Sequence, residues 1–337
     1  SNANDIANQA LGSEADPALD SAFDFPLRWA TVGVLAGEEN GTSGRPASTL
    51  NEFWAYGAHS DVYRPGAVLN MMLGNHDFVR YGDLLQRVGL AEPDDDEWWA
   101  RHRLAFLVQA AYSGSVTRYY GEDLGDEVPG FDQKVGGDCA SLGLCDDHVA
   151  RSSAKIPGVT VSEGQLAAQQ KELLQFHREL MAVRDRYAAL SRGDRQHLYS
   201  DDGLYVDLKA HGGQRVVFAM NAGNEAREVR ISMSLLESSA ATAWNILDGA
   251  ELEVSEGYLV LNLEPLSGVY AYPADQPLQA LAINPGLNDA WYNPDTNGQG
   301  LLVTVFPDNE LLFLAWFTFD TERPPPSTPS NLGEAGH

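Results

Sequence analysis

Apolar residues in the first half of the chain gather into short continuous runs and helical stripes, whereas past Arg195 they alternate with polar ones. Residues 67–73 form a nearly unbroken apolar run of strand length, the pattern of a parallel strand covered on both faces. Residues 21–27 read as a shorter apolar strand stopped by Pro26, and residues 29–35 and 50–56 carry helical potential. A helix is expected to start in the acidic run of residues 92–97 and to continue through Trp98, Leu104, Phe106 and Leu107, because carboxylates are favoured at the positive end of a helix dipole. The acidic run is thereby a helix cap rather than a metal site. Residues 116–120 predict a further strand ending at Gly121-Glu122-Asp123, and residues 163–190 a long helix with Leu166, Leu173, Leu180 and Tyr187 on one face.

Beyond this point, strands are expected at residues 204–208, 215–220, 228–232 and 258–263, separated by Gly, Asn and Asp turns, and together they suggest an antiparallel sandwich. A last module contains Trp291-Tyr-Asn-Pro294, a Gly-Gln-Gly turn at 298–300, and two aromatic-rich runs at 301–306 and 311–319, which make a hairpin. In so small a sheet Trp291, Tyr292, Trp316 and Phe317 are expected to form the core; the other reading is a platform for sugar rings, whose apolar faces suit aromatic ones. The predicted organisation is a strand-helix region at 4–195, an all-β domain at 196–275, a small β module at 284–320 and an extended, disordered tail at 321–337. Ser1-Asn2-Ala3 reads as the remnant of a cleaved tag.

Composition narrows the partners. With 22 Lys plus Arg against 48 Asp plus Glu, the net charge of -26 repels phosphate backbones and anionic lipid, so neither nucleic acid nor membrane is expected as a partner. No apolar run approaches the roughly 20 residues that span a bilayer. Cys139 and Cys145 lie close together in a Gly/Asp-rich stretch with only His148 beside them, too few ligands for a zinc site. They are read as a small disulfide-closed loop, with two free thiols as the alternative, and the disulfide favours an oxidising compartment.

The candidate chemistry lies at the polar end of the run at 67–73, in Asn75-His76-Asp77. In α/β barrels the carboxyl ends of the strands form the active-site face. A carboxylate there accepts two hydrogen bonds and an imidazole donates one, a combination suited to sugar hydroxyls, although a turn that merely ends a strand has the same sequence. Residues 69–80, Leu-Asn-Met-Met-Leu-Gly-Asn-His-Asp-Phe-Val-Arg, resemble the last motif of the α-amylase family of glycoside hydrolases, the Asn-His-Asp segment of the seventh barrel strand. The helical residues 104–112 followed by Tyr119-Tyr-Gly-Glu-Asp-Leu-Gly125 resemble the family's seventh helix and eighth strand, although Val116 stands where the family usually has proline. The helix at 163–190 and the all-β region ending at residues 263–270 are similar to its eighth helix and its C-terminal domain.

The resemblance implies an α/β plus all-β chain: the C-terminal portion of a (β/α)8 TIM barrel, strands six to eight, then an antiparallel β-sandwich, with the terminal hairpin appended. It implies a secreted or periplasmic glycosidase acting on α-glucans such as starch or maltodextrin, with Asp77 as the carboxylate that favours the distorted sugar at the cleaved bond. His76 and Asn75 would bind the same sugar. Arg80 and Arg151 are lesser substrate-binding candidates, Arg80 being read more readily as a structural brace and Arg151 as either a subsite contact or a loop anchor. Retention of configuration needs a nucleophile and an acid roughly 5 Å apart. The family takes both from strands four and five, which this alignment puts upstream of Ser1, since Phe23-Asp-Phe25 falls on strand six. This chain is therefore expected to be inactive alone. Glu122, Asp123 and Asp126 are read as solvated loop charges rather than substitutes. No cofactor or metal is expected in this chain, because calcium, common in the family, takes its ligands from the upstream half. The alternative is a non-catalytic protein of the same fold that binds α-glucan or maltooligosaccharide. Three strand-helix units cannot close a barrel, so self-association through open sheet edges is expected.

Overall fold

The computed structural model describes residues 3–37, 44–54, 62–128, 150, 151, 153, 155–277, 288–292, 300–306, 309 and 311–317. The chain divides into two units, Ser1–Leu278 and Gln279–His337.

The first unit opens with parallel pairing. Phe23 bridges Asn70, and β1 (Asn70–Met72) pairs in parallel with β2 (Ser115–Thr117), Met71 lying opposite Val116. Leu69, Met71, Met72 and Leu73 are all buried, which is why this run carries no alternation. Between β1 and β2 the chain makes the helices Tyr81–Arg87 and Asp96–Ala110, the crossover that parallel strands require. Asp96 and Glu97 occupy the first turn of the second helix, and the Asp95 carboxylate accepts the Glu92 N–H, so the acidic run does open a helix.

The strand expected at 21–27 is a correction. Only Phe23 is paired, and Phe25–Leu35 is a helix. Asp24 caps it by accepting the Leu27 N–H at 3.0 Å, and Pro26 sits in the first turn, where its missing N–H costs nothing. The proline that looked like a strand stop is a helix start.

The long helix runs over Ala168–Arg186 after a 3-10 turn at Glu163–Gln165, and a short helix, Ala188–Arg192, follows. Leu166, Leu173, Leu180 and Tyr187 are all buried, but only Leu173 and Leu180 lie on the helix; Leu166 precedes it and Tyr187 ends it, so the helix is shorter than the expected 163–190. From its last turn Arg184 donates to the carbonyls of Ala110 (2.7 Å) and Tyr112 (2.6 Å), satisfying the open end of the helix Asp96–Ala110.

The all-β part is one curled eight-stranded antiparallel sheet: β3 (Asp194–Ser200), β4 (Leu204–His211), β5 (Gln214–Asn221), β6 (Arg227–Ser232), β7 (Thr242–Asn245), β8 (Glu251–Ser255), β9 (Tyr258–Leu263) and β10 (Ser267–Pro273), in the order β3-β4-β5-β10-β7-β8-β9-β6. β4 and β5 join through Gly212-Gly213, both at positive φ (55° and 86°), as a two-residue hairpin turn requires. The curl brings Leu204, Val206 and Val217 against Ile231, Leu259 and Leu261 in one core. The other face of β4, β5 and β10 is buried too, its Tyr205, Phe218 and Tyr270 packing with Trp54 and Leu107 of the helical part. Trp54, at the end of the helix Thr49–Trp54, stacks on Tyr205 at 5.9 Å, and the Tyr270 hydroxyl donates to the Leu107 carbonyl.

The second unit is a three-stranded antiparallel sheet, β11 (Asp289–Tyr292), β12 (Gly300–Phe306) and β13 (Leu311–Phe317), with the third strand added to the expected pair. Trp291, Leu301 and Trp316 are in register across it and share a face. Trp291 and Trp316 were expected in the core; they are 50% and 66% exposed. The described residues of this unit form a single layer, and alternation tells which residues share a face, not whether anything covers it. Cys139, Cys145, His148 and the tail lie outside the described residues.

Candidate functional site

The polar turn after β1 is built from its own side chains. The Asp77 N–H donates to Asn75 Oδ1 at 2.8 Å, and Asn75 Nδ2 faces the Met72 sulfur at 3.4 Å, so Asn75 points inward and shapes the turn. His76 Nε2 lies 3.2 Å from Asp77 Oδ1. Arg151 reaches the same place from a distant part of the chain, giving Nη2 to Asp77 Oδ1 at 3.0 Å and Nε to the His76 carbonyl at 3.0 Å. All three side chains are well exposed. Among the described residues the contacts to the Asp77 carboxylate fall on Oδ1, and the side chain is 53% exposed.

The floor under the turn is charged and buried. Arg28 donates from Nε to the Leu73 carbonyl at 2.9 Å, and its guanidinium lies over the Phe78 ring at 4.1 Å. Arg80 is only 2% exposed: Nη1 donates to the Tyr120 carbonyl at 2.8 Å while the guanidinium packs against the rings of Tyr119 and Tyr120. Asn75, His76, Asp77 and Arg151 are thus brought together, and Arg80 lies beneath them as a brace.

Glu122 and Asp123, read as solvated charges, are a second correction. They are 5% and 4% exposed, because the 3-10 turn Glu122–Leu124 packs against the helix Ala168–Arg186. Asp123 accepts from Arg118 Nη1 at 2.6 Å, and Glu122 Oε2 accepts the Tyr119 N–H at 2.9 Å. Burial pushes the Glu122 carboxyl up to about 8, outweighing the Tyr119 N–H and the positive charges of Arg80, Arg28 and Arg118. A Cβ at Gly74 would lie 2.9 Å from Glu122 Oε1, so any larger residue there would have to displace the Glu122 carboxyl. Burial also raises the half-buried Asp126. Among the described residues no group of three or more His, Cys, Asp or Glu is arranged to hold a metal ion.

The sequence reading missed a second polar cluster, on β3 and β4. The buried Asp207 carboxylate accepts from Arg195 Nε (2.6 Å) and the Tyr205 hydroxyl (2.7 Å) and lies 2.9 Å from His197 Nδ1. Its signal was Arg195-x-His197 on one strand opposite Tyr205-x-Asp207 on the next, with each pair sharing a face.

Comparison with known proteins finds the chain similar to α-amylase-family glycoside hydrolases over part of their length. A variant of AmyP solved in complex with maltotriose is 39% identical, with a TM-score of 0.75 over 82% of this chain and 55% of that one. An α-amylase from Geobacillus thermoleovorans, complexed with acarbose, shares the fold at a TM-score of 0.60 and 18% identity, over 83% of this chain and 52% of that one. A cyclomaltodextrinase of Geobacillus thermopakistaniensis (strain MAS1) is 25% identical over 258 residues, 73% of this chain and 35% of its own length. Neopullulanase 2 of Thermoactinomyces vulgaris is 27% identical over 172 residues, 50% of this chain and 25% of its own length. The chain therefore spans about a third or less of these curated relatives. No family model matches it.

Proposed function

We propose that this chain is the C-terminal part of a retaining α-glucan glycosidase, and that its Asn75-His76-Asp77 turn holds the sugar at the bond to be cleaved. The observation that carries this reading is the exposed Asp77 carboxylate at the carboxyl end of a buried parallel strand. On this reading Phe23, β1 and β2 correspond to barrel strands six, seven and eight. Asp77 Oδ2 accepts hydrogen bonds from vicinal hydroxyls, the exposed His76 ring contacts the same sugar, and Asn75 holds the turn. These contacts favour the distorted, oxocarbenium-like sugar over the relaxed one. The nucleophile and the acid belong to the upstream part, since Glu122 is committed to the floor beneath Gly74. The protein is proposed to be secreted or periplasmic.

The test is calorimetry with this chain. Maltotriose is expected to bind and cellotriose, of the opposite anomeric linkage, is not, with no release of reducing ends from maltodextrin. Equal binding of both sugars, or none, would remove the α-glucan assignment; hydrolysis that vanishes in Asp77→Asn would remove the incomplete-site part.

The same reading leaves the outer sides of the parallel segments without a strand among the described residues, beside exposed Leu19, Phe23 and Val68. Light scattering behind a sizing column is expected to give a mass above the 36.6 kDa of one chain; a strictly monomeric peak across concentrations would argue against edge association.

A further inference from the structure

We propose that Arg151 is a positioning residue for the glucan site, fixing Asp77 so that one carboxylate oxygen is engaged by the protein and the other is presented to the sugar. The inference rests on the glycosidase reading of the turn. Its geometry is that of a bridge: one guanidinium donates to Asp77 Oδ1 through Nη2 and to the His76 carbonyl through Nε, so it ties the side chain of one residue to the backbone of the one before. His76 Nε2 approaches the same Oδ1, so among the described residues both contacts fall on one oxygen and leave Oδ2 open. The residue before Arg151 is anchored separately, its carbonyl accepting from the Tyr119 hydroxyl at 3.2 Å. Tyr119 is itself fixed by Glu122 at its N–H and by the Arg80 guanidinium on its ring. Residues 150 and 151 are therefore held over the turn at two points by groups that lead back to its buried floor.

An exposed ion pair of this kind contributes little to folding stability. Its effect belongs to orientation, because an unrestrained carboxylate must be ordered when the ligand binds and that ordering weakens affinity. A planar fork with donors at Nε and Nη2 can bridge two acceptors at fixed spacing, whereas a lysine ammonium supplies the charge from a single point.

The experiment compares wild type, Arg151→Ala and Arg151→Lys in the full chain. Melting temperatures are expected to coincide. Maltotriose affinity is expected to fall about tenfold in Arg151→Ala and by less in Arg151→Lys, with partial recovery of the alanine variant on addition of guanidinium ion at millimolar concentration. Without ligand, the backbone amide resonances of His76 and Asp77 are expected to shift in Arg151→Ala and to move part of the way back in Arg151→Lys. Equal affinity of wild type and Arg151→Ala overturns the proposal, and so do unmoved His76 and Asp77 resonances. If wild type binds no maltotriose while those resonances shift, the positioning contact stands and the glucan reading fails.

Discussion

Asp207→Ala is expected to destabilise the first unit by about 3–5 kcal/mol, the cost typical of removing one partner from a buried ion pair. Asp207 is 1% exposed and is the only carboxylate, among the described residues, bonded to Arg195. In the alanine variant Arg195 keeps Tyr205 Oη at 2.8 Å, Asn51 Oδ1 at 2.5 Å and the Trp54 ring, all neutral, so its charge stays buried without a counter-charge. Lys209 is affected as well. Burial lowers this fully buried ammonium to about 7, and Asp207 is the leading influence in the opposite direction. Asp207→Asn keeps the shape and part of the hydrogen bonding and is expected to cost less. Replacing the Asp207–Arg195 pair together by apolar residues of similar volume is expected to cost less than Asp207→Ala, because the penalty lies in the orphaned charge. Urea unfolding followed by tryptophan fluorescence reads these differences; a loss below about 1 kcal/mol in Asp207→Ala would mean that Arg195 reaches water in the native state.

Glu122→Gln is expected to change the pH dependence of stability. The native carboxyl titrates at about 8 and the ordinary one at 4.5, so between these values the native state binds more protons than the unfolded state. Stability from this group is therefore fully present below about 4.5 and is lost as pH rises through 8. At about 1.4 kcal/mol per pH unit, the window amounts to roughly 3–5 kcal/mol. Glutamine keeps an acceptor for the Tyr119 N–H and has nothing to ionise, so the variant is expected to gain on wild type steadily from pH 5 to pH 8. Asp24 and Asp83 are also raised by burial, to about 6 and about 7, and tilt the wild-type curve in the same direction. They are present in both proteins, so the difference curve isolates Glu122. Parallel curves for the two proteins would mean that Glu122 is already ionised at neutral pH.

What could be read from the sequence was whatever depends on neighbours along the chain. The run at 67–73 announced the buried strand at Asn70–Met72, and the spacing of Leu173 and Leu180 announced the buried side of the helix Ala168–Arg186, although Leu166 and Tyr187 fall just outside it. Residues 21–27 misled because a capping Asp followed by Phe-Pro is compatible with the end of a strand as well as with the first turn of a helix. The burial of Glu122 and Asp123 was invisible because its cause is tertiary: the turn passes beneath Gly74 and packs against the helix Ala168–Arg186, while the bonds from Arg118 and the Tyr119 N–H, five and three residues away, are local and would form in an exposed turn as well. In the candidate site, Asn75-His76-Asp77 is local and could be found. The engagement of Arg151 with Asp77, 74 residues away, could be nominated from residue type but placed only by the fold.

The most direct test of the central claim is maltotriose affinity in wild type and Asp77→Asn, measured side by side by calorimetry. Asparagine keeps the size of the side chain and one carbonyl acceptor but removes the charge that makes hydrogen bonds from sugar hydroxyls strong. The account predicts that wild type binds and that Asp77→Asn binds at least about tenfold more weakly with its melting temperature unchanged. Equal affinity in the two proteins would place the sugar elsewhere and contradict the assignment of the Asn75-His76-Asp77 turn as the glucan site.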